Sequence, residues 1–319
     1  MTCQSSNSMK SWIDKYNDSL NDKPQLASIY DDDWRHKTES KLLEFANGEF
    51  CYLGNAFGYQ APSLEHLDLI PKGWQYRLEE GAKVLLTKLC SRDSGHLMKR
   101  MKDTESASAE QELLLARGFA LVFEENSITV PPVDSPQAEF EVNASGHQIL
   151  VEAKGRLISQ AVEQDRKFRR YVKDLLGITI LDPPVFDETV DQWIKRKICK
   201  TLQSKSRSGC GFVLVLSLYT TYTNLNVADL VRELVINQAS LNIPEEQWAL
   251  TIALVSGGSI QGVWFNHCVC KNLGIEEELR ERIRAAIKAS FYPWRNSVFF
   301  HEEMTDEEHR SMKNKLFGL

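Results

Sequence analysis

The chain has 319 residues, 42% of them hydrophobic and 26% charged, enough for one large domain or two smaller ones with an ample core. Its 38 basic and 44 acidic side chains leave a formal charge of −6, which excludes a protein that is basic over its whole surface. No apolar run reaches the length of a membrane span, and the polar opening MTCQSSNSMK does not read as a secretory leader, so a cytoplasmic protein with no membrane partner is expected.

In chain order, residues 1–100 read as a helical N-terminal region, with helix-like patches in KTESKLLEFANG and YRLEEGAKVLLTKLC. SASAEQELLLARG predicts a helix closing at Gly118, and FALVFEE after it a strand. A turn-rich stretch, NSITVPPVDSPQ, leads into the short strand AEFEV, the turn NASGH and the strand QILVEAK. RLISQAVEQDRKFRRYVKDLLG is amphipathic, with Arg166, Arg170 and Lys173 at helical spacing, and ITILDPPVFDE is a loop or insertion. A further helix, DETVDQWIKRKICKTLQSKS, sets Ile194, Ile198 and Leu202 on one side and Arg196, Lys200, Gln203 and Arg207 on the other. It feeds GFVLVLSLYT, the strongest strand in the chain. The helix VADLVRELVINQ, the strands WALTIALVSG and IQGVWFNHCVC, the helix EEELRERIRAAIKAS and the apolar run SVFF complete the order. A core over 101–225 with a C-terminal α/β extension over 226–319 is the expected division.

Seven cysteines, an odd number without framework spacing, read as reduced thiols rather than disulfides. His267, Cys268 and Cys270 could make half a metal site, but no second pair stands near them, and buried thiols on a strand are the preferred reading. Charge is unevenly spread. Acids gather at Asp31-Asp32-Asp33, Glu276-Glu277-Glu278 and HEEMTDEEH, whereas RKFRR (166–170) and KRKICK (195–200) are basic. A positive surface on an acidic protein suits a polyanion; a solvated helix face is the alternative.

The stretch ILVEAKG (149–155) is the sharpest feature. On a strand Glu152 and Lys154 share a face with Leu150, while Ile149, Val151 and Ala153 take the other. If AEFEV and QILVEAK pair across a two-residue turn at Ser145-Gly146, or a four-residue loop from Ala144 to His147, Glu139 stands opposite Glu152 and Glu141 opposite Leu150. A three-residue loop would turn Glu139 away. Carboxylates brought together repel and call for a cation, and a set with no histidine or thiol suits a hard ion, Mg²⁺ or Mn²⁺, better than zinc. A local ion pair at the strand end is the other reading of Glu152 and Lys154.

A glutamate-bearing helix (SASAEQELLLARG), a strand opening on an acid after a proline (SPQAEFE), a hairpin, and then acid-x-lysine (VEAKG) resemble the PD-(D/E)XK nuclease superfamily over residues 104–220. The resemblance implies an α/β, restriction-endonuclease-like core with a central mixed sheet flanked by helices. It further implies Mg²⁺ or Mn²⁺ held by Glu139 and Glu152, with the Ala153 carbonyl completing the shell. Lys154 would orient or deprotonate the attacking water or stabilise charge on the phosphate, and Glu110 would be the helix acid, preferred over Glu112 because Leu113 and Leu114 share its face. Arg196, Lys200, Gln203 and Arg207, or Arg166, Arg170 and Lys173, would meet phosphates. The implied activity is endonucleolytic cleavage of DNA in defence, restriction or repair, by a homo-oligomer or with a partner protein; the alternative is a degenerate nucleic-acid-binding or assembly subunit. The chain departs from the usual pattern in carrying Glu139 where the family has aspartate, with Pro136 set further upstream.

Overall fold

GFVLVLSL is buried along its whole length, a condition met by a strand inside a sheet that is covered on both faces. The computed structural model describes residues 20–33, 72–89, 91–102, 106–131, 138–156, 190–218, 225–256 and 259–293. In chain order they form α1 (Pro24–Ile29), α2 (Lys72–Leu86), α3 (Ser91–Lys102), α4 (Ser106–Phe123), β1 (Ile128–Thr129), β2 (Phe140–Ala144) and β3 (His147–Arg156). There follow α5 (Val190–Lys205), β4 (Gly211–Leu218), α6 (Leu225–Ile236), β5 (Thr251–Ser256), β6 (Ser259–Phe265), α7 (His267–Leu273), α8 (Glu277–Ser290) and β7 (Tyr292–Pro293).

The architecture is α/β, an open mixed sheet with helices on both faces. Strands lie in sequential order from β1 to β7. β1, β2 and β3 are antiparallel neighbours, β3, β4 and β5 run parallel, β6 is antiparallel to β5, and β7 is parallel to β6. Alternation sorts the side chains between two cores. Ile149, Val151, Ala153, Val213, Val215, Ala253 and Val255 meet α2, α4 and α8 on one face. Leu150, Phe212, Leu214, Leu216, Ile252 and Leu254 meet α5 and α6 on the other. β5, β6 and β7, expected in a C-terminal extension, continue the same sheet.

Three expectations are corrected. FALVFEE is not a strand: α4 runs through Gly118 to Phe123, and the first strand among the described residues is the short Ile128–Thr129. Gly118 does not stop the helix because its missing side chain serves helix packing. A Cβ there would overlap Ser290 Oγ and the Ala286 carbonyl of α8. Phe119 and Phe123 then stack one turn apart with centroids at 5.7 Å, and Phe119 meets Phe140 of β2 edge-on. The helix stops at Glu124, whose φ is 67°, with Ser127 Oγ donating to the Phe123 carbonyl. Finally, HCVC is helical: Asn266 ends β6 and caps α7, accepting from the Cys268 and Val269 amides, so Cys268 is exposed while Cys270 is buried. The helix patch KTESKLLEFANG, the amphipathic 156–177 segment beyond Arg156, ITILDPPVFDE and SVFF lie outside the described residues.

α4 is gripped from both sides. Gly81 of α2 brings a Cβ position onto the Leu113 carbonyl, just as Gly118 does against α8. Arg77 and Arg117 donate to the Ala289 carbonyl at 3.2 and 2.9 Å, tying the end of α8 to α2 and α4 and complementing its dipole. Gly118→Ala is therefore expected to lower stability by about 1–3 kcal/mol through overpacking, against the roughly 1 kcal/mol that alanine gains in an open helix. Denaturant unfolding decides it: a stabilised variant would remove the close-approach role of Gly118.

Candidate functional site

β2 and β3 join through a two-residue turn. Ser145 and Gly146 both take positive φ, 51° and 79°, and Ala144 pairs with His147, the geometry a tight hairpin requires. The register then sets Glu141 opposite Leu150 and ends at Phe140 opposite Val151. β3 runs on to Arg156 beside β4, so its last turns of pleat leave β2 behind. Glu139 stands one step past the final pair. Its backbone N–H, which no strand partner receives there, donates to Glu152 Oε2 at 3.1 Å.

Around that step the side chains gather. Lys154 Nζ pairs with Glu152 Oε1 and lies 3.7 Å from Glu139 Oε1, one ammonium between two carboxylates. Glu139 and Glu152 thus share one face, as the alternation expects. Glu152 is wholly buried, and Lys205 from the last turn of α5 reaches it as well, with Nζ 3.1 Å from Oε1 and 3.2 Å from Oε2. Burial and then the charge of Glu139 push the Glu152 carboxyl up, while Lys154 and Lys205 pull it back. Burial alone would lower the Lys154 ammonium, but Glu152 and Glu139 outweigh it and leave its pKa raised.

On α4, the buried Glu112 carboxyl feels the charges of this group. Burial, then the charges of Glu139 and Glu152, push it up to about 8, against the pull of Arg100. Arg100 of α3 meets it in a fork, Nη1 on Oε2 at 2.9 Å and Nη2 on Oε1. Glu110, the expected helix acid, is also buried but sits two residues away on α4, nearly half a turn round. The apolar neighbours Leu113 and Leu114 could not choose between them because α4 is buried all round from Ala109 to Ala116.

Glu141 belongs to a separate, adjoining set. Arg207 Nη1 lies 3.2 Å from its Oε1, Gln148 Nε2 donates to its Oε2 at 2.5 Å, and Cys210 Sγ stands 3.2 Å from Gln148 Oε1. Arg207 therefore leaves the expected stripe: α5 ends at Lys205, and the arginine turns to Glu141. Arg196, Lys200 and Gln203 do lie together on the exposed side of α5. Arg166, Arg170 and Lys173 fall outside the described residues. Sequence reasoning missed Lys205, although a signal was present. The buried register Ile194, Ile198, Leu202 steps next onto position 205, so the apolar stripe ends on a lysine.

Among the described residues no three His, Cys, Asp or Glu side chains are placed to hold a metal ion together. Glu139 and Glu152 are a pair of hard oxygen donors around one cation position. That fits Mg²⁺ or Mn²⁺, since magnesium takes one or two protein carboxylates and fills its octahedron with water and phosphate. No helix among the described residues is long and apolar enough to cross a membrane. Compared with family models, curated proteins and solved structures, the chain matches none of them.

The raised Glu112 carboxyl carries a pH signature. Its folded pKa lies above the unfolded value of 4.5, so the fold binds the extra proton and loses stability as pH rises from 4.5 through about 8. In metal-free buffer, Glu112→Gln should flatten the stability profile across that window. An unchanged slope in pH-dependent denaturation would show that Glu112 stays ionised throughout, held by Arg100.

Proposed function

We propose that this chain is a metal-dependent nuclease of the PD-(D/E)XK type, hydrolysing phosphodiester bonds of DNA as an endonuclease in defence, restriction or repair. The observation that carries the reading is the meeting of Glu139 and Glu152 on Lys154 Nζ where β2 ends and β3 continues. Among the described residues the element order α4-β1-β2-β3-α5-β4 and the mixed sheet support it.

On this reading Glu139 and Glu152 hold Mg²⁺ or Mn²⁺, with the Ala153 carbonyl beside them. A bound ion supplies Lewis-acid neutralisation of phosphate oxygens and a more acidic water. The protein's own groups do the rest. Lys154 presents an ammonium to the negative charge that grows on the phosphate as water attacks. Glu112, the buried α4 acid that feels the charges of Glu139 and Glu152, accepts a hydrogen bond from a water in the site and orients it. The Arg100 fork fixes that carboxylate in place. Arg196, Lys200 and Gln203, exposed on α5, meet the sugar-phosphate backbone.

A second reading keeps the fold and drops the chemistry. Two lysines already neutralise Glu152, and Glu139 stands where the family has aspartate, which suits a subunit that binds nucleic acid without cutting it. Plasmid DNA incubated with Mg²⁺ or Mn²⁺ separates the two. The nuclease reading expects cleavage that Lys154→Ala and Glu152→Ala abolish with nucleic-acid binding retained in the lysine variant. As a strand-end ion pair only, Lys154 would cost about 0–1 kcal/mol when removed and change no activity. Glu139→Asp should retain or improve cleavage. Wild-type protein inert toward DNA and RNA with either metal gives the case to the second reading.

A further inference from the structure

Glu152 is wholly buried and has two ammonium partners from different elements, Lys154 on its own strand and Lys205 on α5. Around the strand acids, the carboxyls of Glu139 and Glu152 face the ammoniums of Lys154 and Lys205, two against two. A divalent cation added to that set leaves two positive charges in excess beside a buried carboxylate, where uncompensated charge is costly. The two cations also contest the same oxygens. Lys205 Nζ lies 3.1 and 3.2 Å from the two carboxylate oxygens of Glu152, which would be the ion's own donors. Of the two lysines, Lys205 is the one at a helix end: it is the final residue of α5, where the buried stripe of Ile194, Ile198 and Leu202 runs out, on a flexible four-carbon stem.

We propose that Lys205 is a resident counter-ion that competes with the divalent cation for Glu152, so that the ion loads fully only when the lysine gives up the carboxylate. Lys205 is a positioning residue, acting through Glu152. This rests on the nuclease reading for the identity of Glu152 as a metal ligand.

The test is Mn²⁺ titration by calorimetry with no nucleic acid present. Lys205→Met should bind Mn²⁺ more tightly than wild type, on the order of tenfold, the usual size of a coupling between sites. Lys205→Gln, which keeps a hydrogen bond to Glu152 without the charge and guards against a misfolded methionine variant, should do the same. Lys205→Arg should stay near wild type. A merely structural lysine would lower the melting temperature in all three and leave Mn²⁺ affinity unmoved. Equal Mn²⁺ affinity in wild type and both neutral variants, with wild type still cleaving DNA, overturns the competition and leaves the nuclease standing. No Mn²⁺ bound by any of them, and no cleavage, overturns both.

Discussion

A carboxylate with no exposure to water organises this molecule. Glu152 sits inside the sheet's covered face, and leaving such a group without partners would cost several kcal/mol. Its compensation comes from three directions: the Glu139 backbone N–H at the ragged end of β2, Lys154 two positions along its own strand, and Lys205 from the helix that crosses to β4. Each of these exists only because a larger feature is as it is. The N–H is available because the β2 ladder stops at Phe140. Lys154 shares the face by strand alternation. Lys205 arrives because the buried stripe of α5 runs out at that carboxylate.

The opposite wall of the cluster is built differently. α4 lies between α2 and α8 with its backbone nearly touching theirs at Gly81 and Gly118, so its side chains have no solvent face through the middle of the helix. A buried acid on such a helix needs its own partner, and Arg100 on α3 supplies it. The ion pair thereby ties α3 to the central helix.

Much of this was legible in the sequence where local rules act alone. The period of two in AEFEV and QILVEAK, with Ser-Gly between, offers a two-residue turn that sets Glu139 toward Glu152, and of the loop lengths the sequence leaves open the chain takes that one. The α5 stripe and the buried β4 strand follow from their apolar patterns. What escaped depended on tertiary partners. Gly118 looks like a stop signal until α8 is packed against it, and FALVFEE then continues a helix despite its strand-forming residues. Glu110 and Glu112 cannot be separated by apolar neighbours on a helix buried all round. Arg207 reads as part of a phosphate stripe until the chain turns after Lys205 and Glu141 captures it. In HCVC the deciding residue is Asn266, whose side chain caps a helix that a strand pattern conceals.

The glycine contacts of α4 have a mechanical consequence. Backbones that touch leave no slack: α4 cannot roll or slide against α2 and α8 without main chain meeting main chain. α5 rests on the sheet through the interdigitated side chains of Ile194, Ile198 and Leu202, a contact that tolerates small sliding. The cluster therefore has one stiff jaw and one compliant jaw. Glu112 is held on the stiff side, and adjustment of the cluster falls to α5, whose last residue is Lys205.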